Sequence, residues 1–109
     1  MFYISGDTIT LTRGDTLKAR IQVSYDNGRE YIPSKGDKIR FAMKKDYKDD
    51  QVLIEKDVNT ETMELILHPE DTKSLDFGSY VYDLQLTTED DEVYTFIDRA
   101  KLKLTEEVD

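Results

Sequence analysis

The sequence contains no cysteine, no tryptophan and a single histidine, His68. The lack of cysteine excludes disulfides, thiolate metal sites and a cysteine nucleophile. One imidazole is too little for a structural zinc site and for most acid–base catalysis. No segment approaches the roughly 18 consecutive apolar residues of a membrane helix, and the N-terminus lacks a basic and then apolar signal sequence. We therefore expect no membrane association and no secretion by a signal peptide.

Basic residues are also fewer than acidic ones: the chain has 15 Lys and Arg and 24 Asp and Glu, so its formal net charge is −9. Binding to phosphate groups needs a basic surface, so we do not expect a nucleic-acid partner. The length predicts one domain over residues 1–109, since typical domains contain about 100–150 residues. A chain of this size can build a hydrophobic core without disulfides or metals.

Alternation of apolar and polar residues is the dominant pattern. It is clearest in Lys38–Lys45 and in Ser79–Thr87, and such a period of two is typical of a strand with one buried face. The same pattern predicts further strands at Thr8–Thr12, Thr16–Tyr25, Glu30–Ile32, Val52–Ile54, Thr62–His68 and Val93–Leu104. The parity places Tyr25 and Tyr94 among the inward-facing residues. Turn residues such as Asp26-Asn27-Gly28 separate the segments.

The spacing of these strands predicts an all-β fold. About seven short strands with regular turns are typical of a sandwich of two antiparallel sheets. One short helical turn is expected near Pro69–Lys73, because proline suits the first helical position and acidic residues suit the first turn.

Asp98 lies on the inward parity of the last predicted strand. A buried and unpaired carboxylate is costly. We therefore expect either a β-bulge at Asp98-Arg99 or an opening to water there, in preference to a functional buried acid.

The tripeptide Arg13-Gly14-Asp15 matches the motif that integrins bind. The same Gly-Asp pair opens two other predicted strands, at Gly6-Asp7 and Gly36-Asp37. A turn explains all three occurrences and adhesion explains only one, so we interpret the tripeptide as a turn.

Acidic residues gather in two predicted loops, Asp46–Asp50 and Glu89–Glu92. Carboxylates can bind Ca²⁺, but neither loop has the spacing of an EF-hand. We interpret both as solvated loop tips and predict no metal ligand. A phosphate-binding glycine motif is absent, so we predict no cofactor and no cofactor-binding residue.

Catalysis is not expected. A glycosidase needs paired carboxylates in a cleft, one of them kept protonated by its surroundings. Only their positions in the sequence make four carboxylates candidates for such a pair: Glu55, Glu64, Asp83 and Asp98. His68 has no serine or aspartate aimed at it by the strand periodicity. We predict no catalytic residue, and we predict that the protein is not an enzyme.

The segment Asp76-x-Gly78-x-Tyr80-x-Tyr82 is similar to the D-x-G-x-Y-x-C signature of immunoglobulin domains. In those domains the first tyrosine forms the tyrosine corner, in which its hydroxyl bonds back to nearby backbone. Tyr82 stands where the cysteine would be. We therefore predict an immunoglobulin-like β-sandwich that is held together by packing alone.

The order of the segments resembles a family of phage and prophage domains from Gram-positive bacteria, the immunoglobulin-like N-terminal domains of baseplate upper proteins and their stand-alone relatives. The matching segments are ITLTRGDTLKARI at 9–21, DNG at 26–28, IRFAMKK at 39–45, HPEDT at 68–72, GSYVYDLQL at 78–86 and RAKLKLT at 99–105. The resemblance implies a non-catalytic structural module of a tail or baseplate. It implies a place in the virion after synthesis in the bacterial cytoplasm, and other phage structural proteins or further copies of this chain as partners.

Two kinds of binding surface remain open. For protein contacts, the edge segment Phe2–Ile4 could pair with a partner strand, and the outward-facing Val81, Val93 and Ile97 could form a patch or be scattered surface residues. The alternative function is a carbohydrate- or cell-surface-binding sandwich. In that case sugars would stack on tyrosines, although tryptophan is the usual platform; the candidates are Tyr25, Tyr31, Tyr47 and Tyr94.

Overall fold

The structure, a computed structural model, describes residues 2–5, 7–25 and 27–106, and of residues 2–5 it describes only the backbone. These residues form eight strands and one short helix. Their bounds are β1 (Phe2–Ser5), β2 (Thr8–Thr12), β3 (Leu17–Arg20), β4 (Lys38–Lys44), β5 (Ile54–Val58), β6 (Glu64–Leu67), α1 (Pro69–Thr72), β7 (Gly78–Thr87) and β8 (Val93–Thr105). The predicted all-β class is confirmed. No helix among the described residues is long and apolar enough to cross a membrane.

The strands form two sheets of unequal size. Six strands pair in the order β1-β2-β8-β7-β4-β5, and β3 pairs with β6 in a two-stranded sheet. All pairs are antiparallel except β2 and β8, which run parallel. The prediction of purely antiparallel sheets is therefore wrong at this pair. Alternation indicates which face of a strand is buried, but it carries no information on the direction of the neighbouring strand.

The core lies between the large sheet and the β3–β6 pair. On the large sheet, Phe41 and Leu84 are paired neighbours and are almost completely buried. On the small sheet, Leu17 and Leu67 are paired and fully buried. Burial of each such side chain stabilises the fold by about 1.5–3 kcal/mol. Tyr82 also lies in this core, where its ring packs against Phe41 at a centroid distance of 5.3 Å.

The strand predicted at Thr16–Tyr25 ends at Arg20 instead. Its partner β6 begins at Glu64, which pairs with Arg20, so β3 has no further strand to pair with. The chain continues as an irregular hairpin in which the Tyr25 N–H bonds to the Arg29 carbonyl and the Tyr31 N–H bonds to the Val23 carbonyl, both at 2.8 Å. We call residues 23–31 the 23–31 hairpin.

Two neighbouring predictions fall in this hairpin. The strand predicted at Glu30–Ile32 is reduced to one bridge, between Ser24 and Glu30. The predicted turn is present at Gly28, whose φ of +86° suits glycine, while Asp26 lies outside the described residues.

Two other strands differ from their predicted bounds. The strand predicted at Val52–Ile54 is Ile54–Val58, where Lys56 pairs with Phe41 on the core side of the sheet. The Lys56 ammonium group forms an ion pair with Asp71 at 3.1 Å. A charged residue thus stands at a core-side position of β5 and interrupts the apolar alternation of this strand. The strand predicted at Thr62–His68 begins only at Glu64, because Met63 has a φ of 59° and belongs to the preceding turn.

The expected irregularity at Asp98 is a β-bulge. Tyr82 pairs with Ala100 but Leu84 pairs with Ile97, so β8 contains one residue more than β7 over this stretch. Arg99 takes a φ of 55°, and the Asp98 side chain is 60% exposed. The bulge therefore turns the carboxylate out to solvent, as the cost of its burial predicts.

The predicted helical turn closes the end of the fold at which β7 begins. We call this end the closed end. Thr72 of α1 is fully buried, and its hydroxyl accepts the Gly14 N–H at 3.0 Å. The Tyr80 hydroxyl donates to the Asp76 carbonyl at 2.7 Å, which is the predicted bond from the tyrosine to nearby backbone.

Candidate binding groove

A groove opens at the opposite end of the fold, where β7 finishes and β8 starts. β7 has ten residues, whereas β3 and β6 have four each, so the large sheet extends beyond the small one. The groove lies between the 23–31 hairpin and the β7–β8 hairpin and has a volume of about 640 Å³. Its walls are Val23, Ser24, Tyr25, Tyr31, Leu86, Thr88, Tyr94, Thr95 and Phe96. We call this region the open end.

Three tyrosines dominate the groove. Tyr25 and Tyr94 are 55% and 52% exposed, so the prediction that they face inward into the core is wrong. Both lie beyond the ends of β3 and β6, and at this end the 23–31 hairpin faces the large sheet across the groove. The rings of Tyr25 and Tyr31 meet edge to face with a centroid distance of 5.5 Å, a favourable arrangement for aromatic pairs.

The groove thus gathers three of the four tyrosines that the sequence suggested as stacking platforms. The fourth, Tyr47, lies in a different part of the molecule. Sequence periodicity does not reveal this grouping, because it depends on where the small sheet ends.

Two of the groove tyrosines donate their hydroxyl protons to carboxylates. The Tyr94 hydroxyl bonds to Glu92 Oε2 at 2.6 Å, and the Tyr31 hydroxyl bonds to Asp37 Oδ2. The Asp37 hydrogen bond, together with burial, raises the pKa of Tyr31 to about 12. The bond to Glu92 raises the pKa of Tyr94 above its usual value. Both phenols therefore stay neutral near pH 7, and the negative charge at this end resides on the carboxylates.

Asp37 anchors one wall of the groove. It is only 5% exposed and accepts three hydrogen bonds, from the Tyr31 hydroxyl, from the Ser34 N–H at 2.9 Å and from the Glu89 N–H at 3.1 Å. These bonds, that of Tyr31 most of all, hold the pKa of Asp37 below its usual value. A single carboxylate thus joins the groove wall at Tyr31 to the β7–β8 hairpin at Glu89.

Gly36 allows that connection. A Cβ at position 36 would come within 2.5 Å of the Glu89 Cβ, so only glycine permits this close approach. The sequence showed Gly36-Asp37 as a turn and missed its role as an anchor, since burial of the carboxylate depends on the distant β7–β8 hairpin.

A smaller depression of about 210 Å³ lies at the bulge on the large sheet, and we call it the bulge depression. It contains Tyr47, but the guanidinium of Arg99 covers that ring at 4.5 Å from its centroid. The Arg99 N–H bonds to Asp83 Oδ1 at 2.8 Å, which fixes the bulge in place. This tyrosine is therefore already in contact with a cation of its own chain.

Of the four carboxylates considered for catalysis, only two lie in the same depression. Asp83 and Asp98 both line the bulge depression, whereas Glu55 and Glu64 lie on β5 and β6. Glu55 pairs with Arg40 at 2.6 Å, and this bond lowers the pKa of Glu55. A general acid needs a shift in the opposite direction.

The two acidic loops are exposed on the surface. Glu89–Glu92 forms the β7–β8 hairpin tip, in which the Thr88 N–H bonds to the Glu92 carbonyl at 2.8 Å. In the part of the chain that the structure describes, no three His, Asp or Glu side chains are placed to hold a metal ion.

The Arg13-Gly14-Asp15 segment is a turn, as predicted, with the Asp15 N–H bonded to the Thr12 carbonyl at 3.0 Å. The Arg13 guanidinium lies 4.1 Å from the Phe77 ring centroid and donates to the Leu75 carbonyl at 3.1 Å. The arginine is therefore engaged with its own chain at the closed end.

Val81, Val93 and Ile97 do not form one patch. Ile97 pairs with the buried Leu84 and packs against the core, because the bulge shifts the register of β8 by one residue there. A second register shift between Leu84 and Gln85 brings Tyr94 opposite Leu86. Val81 lines the bulge depression, while Val93 is 58% exposed beside Tyr94 at the open end.

Comparisons with family models, curated proteins and solved structures gave no match.

Proposed function

We propose that this chain is an immunoglobulin-like module of a phage or prophage tail or baseplate that acts through protein–protein contacts and catalyses no reaction. The strand order supports the fold: β8, β7, β4 and β5 correspond to strands G, F, C and C′, and β3 and β6 correspond to B and E. The short helix between β6 and β7 and the Tyr80 hydrogen bond to Asp76 also match that architecture.

The observation that carries the binding role is the concentration of exposed apolar groups at the open end. Six large hydrophobic side chains in the described part of the chain are well exposed, and four of them are Tyr25, Ile32, Val93 and Tyr94. Tyr25 and Tyr94 line the groove. In the chain, Ile32 follows the groove residue Tyr31, and Val93 precedes Tyr94. Protein interfaces are enriched in tyrosine, and clustered exposed apolar groups mark interaction sites.

The phage context is supported by the resemblance of the segments at 9–21, 39–45, 68–72, 78–86 and 99–105 to baseplate domains. On this proposal the chain resides in the virion after synthesis in the host cytoplasm. Its partners are other structural proteins of the particle, or further copies of itself. The edge strand β1 pairs only with β2 among the described strands and offers a second place for contact by strand addition.

Mass spectrometry of particles purified from an induced host tests this function. The chain should be present in the tail fraction at a fixed ratio to the known tail proteins, and the genes beside its own should encode tail components. Absence from intact and from partly assembled particles would contradict the proposal.

Light scattering after size-exclusion chromatography tests the self-contact option separately. If copies associate, the mass should exceed that of the monomer at high micromolar concentration, and Val93→Asp should restore the monomer. Lys73→Asp, an exposed change at the closed end, should leave the mass unchanged. A strict monomer would remove self-assembly while leaving contacts with other proteins.

A carbohydrate-binding function is the second candidate, because the fold brings Tyr25, Tyr31 and Tyr94 into one groove. A glycan array should then show hits that Tyr94→Ala abolishes and Tyr47→Ala does not. An array without hits above background would remove this candidate.

A further inference from the structure

Three aromatic rings outside the groove, the exposed Phe77 and Tyr47 and the buried Tyr80, have a cation of the chain itself over one face. Three such pairs have the cation 4.1–4.6 Å from the ring centroid: Arg13 over Phe77, Lys45 over Tyr80 and Arg99 over Tyr47. Cations at these distances are attracted to the negative face of the ring. Within residues 7–25 and 27–106, no lysine or arginine lies over Tyr25, Tyr31 or Tyr94.

Carboxylates also lie at the rim of the groove. Glu92 and Asp37 lie at the hydroxyl ends of Tyr94 and Tyr31, and the hairpin tip Glu89–Glu92 borders Thr88 of the groove wall. None of the residues that line the groove is basic. The carboxylates add a negative potential to the negative faces of the rings, which favours a cation and disfavours an anion.

The groove has room for more than one side chain. Its volume of about 640 Å³ is that of a site for a small ligand or for a short peptide segment. The hydroxyls of Ser24, Thr88 and Thr95 on its walls can accept hydrogen bonds from an ammonium or a guanidinium group. A guanidinium fits such a site well, because it stacks on aromatic faces while its edge donates hydrogen bonds.

We propose that the groove binds a basic segment of a partner protein, with an arginine or lysine side chain inserted among Tyr25, Tyr31 and Tyr94. This inference rests on the proposed protein-binding function and specifies the chemistry of the partner. The partner supplies the cation that Arg99 supplies to Tyr47 within the chain. The net charge of −9 favours the same kind of partner at longer range.

A pair of short peptides tests the role of the charge. One contains two arginines separated by glycine, and the other carries citrulline, the neutral isostere of arginine, at both positions. In a titration of the full chain followed by NMR at low salt, we expect shifts at the groove residues. We expect affinity for the arginine peptide at least fivefold higher than for the citrulline peptide, and lower affinity in high salt. Equal affinities, no binding, or shifts confined to the bulge depression would overturn the proposal.

Matched variants test the site. Tyr94→Leu and Tyr25→Leu should each weaken binding of the arginine peptide at least threefold, because they keep an apolar wall but remove the aromatic face. Tyr47→Leu is the control, since Tyr47 has nearly the same exposure, 49%, but has its own cation. Glu92→Gln should weaken binding by a smaller factor and Glu70→Gln should not. Unchanged affinity in the Tyr94 and Tyr25 variants would also overturn the proposal.

Failure of this inference differs from failure of the proposed function. If the chain is found in tail particles but ignores the arginine peptide, the basic partner is wrong and the assembly role stands. If the chain is absent from particles but binds the arginine peptide in the groove, the cation site stands and the assembly role is wrong.

Discussion

At the closed end of the fold, where β7 begins, polar and aromatic groups are paired within the chain. Thr72 accepts the Gly14 N–H, Tyr80 donates to the Asp76 carbonyl, and Arg13 covers Phe77. At the open end, where β7 finishes, Tyr25 and Tyr94 keep more than half of their surfaces exposed. Hydrogen bonds within the chain occur at both ends. At the closed end a cation of the chain covers the exposed ring of Phe77, whereas no lysine or arginine of the described residues lies over Tyr25 or Tyr94.

On the proposed function, this difference assigns the binding surface to the open end. Packing at the closed end stabilises the fold, and a group that is paired within the chain is no longer available for contact with a partner. The open end instead anchors Tyr31 through one buried carboxylate, Asp37, and leaves Tyr25 and Tyr94 more than half exposed. The predictions below test this contrast.

Asp37→Ala should have the largest effect. Loss of the carboxylate leaves the Ser34 and Glu89 N–H groups and the Tyr31 hydroxyl without their acceptor, so we expect the free energy of unfolding to fall by about 2 kcal/mol. Urea denaturation measures this loss. The control at the closed end is Asp76→Ala, which keeps the carbonyl that Tyr80 uses and should change stability by less than about 0.5 kcal/mol. Equal losses in the two variants would show that Asp37 is not a special anchor.

Replacement of a tyrosine by phenylalanine at each end should have a smaller effect on stability and compares the two ends directly. Tyr80→Phe removes a hydrogen bond from a residue that is only 3% exposed and should cost about 1 kcal/mol. Tyr94→Phe removes a hydrogen bond that solvent can replace, so we expect no measurable change in the urea midpoint. A larger loss for Tyr94→Phe than for Tyr80→Phe would reverse the contrast between the ends.

Acid should have the smallest effect of the three. The pKa of Asp37 is lower in the folded than in the unfolded chain, so its contribution is complete above the usual aspartate pKa and is lost as the pH falls through the lower folded value. A protonated carboxyl still accepts some hydrogen bonds, so only part of the Asp37→Ala effect should appear. Stability curves between pH 7 and pH 2 should show a steeper acid loss for the native chain than for Asp37→Asn. Parallel curves would contradict the lowered pKa.

The parts of the fold that depend on local pattern could be predicted from the sequence. Alternation located β4 and β7 and their buried faces, the D-x-G-x-Y pattern predicted the Tyr80 hydrogen bond, and the cost of burying Asp98 predicted the bulge. Pro69 and the acidic residues after it located α1.

The parts of the fold that depend on how far a distant element extends could not be predicted from the sequence. Tyr25 and Tyr94 follow the parity of the core, but they lie beyond the four-residue strands that would have covered them. Ile97 changes face because of a bulge whose effect on register appears only in the pairing with β7. The groove arises from both effects, so its tyrosines were candidates in the sequence and became a site only in the fold.

The central claim is that the open end meets the partner and the closed end does not. Photo-crosslinking in assembled particles tests it most directly, with p-benzoylphenylalanine replacing Tyr94 at the open end or Phe77 at the closed end. Both positions carry exposed aromatic rings, so the probe is comparable at each. We predict that position 94 crosslinks to another tail protein or to a second copy of the chain and that position 77 does not. Crosslinks from position 77 alone, or from neither position, would contradict the claim.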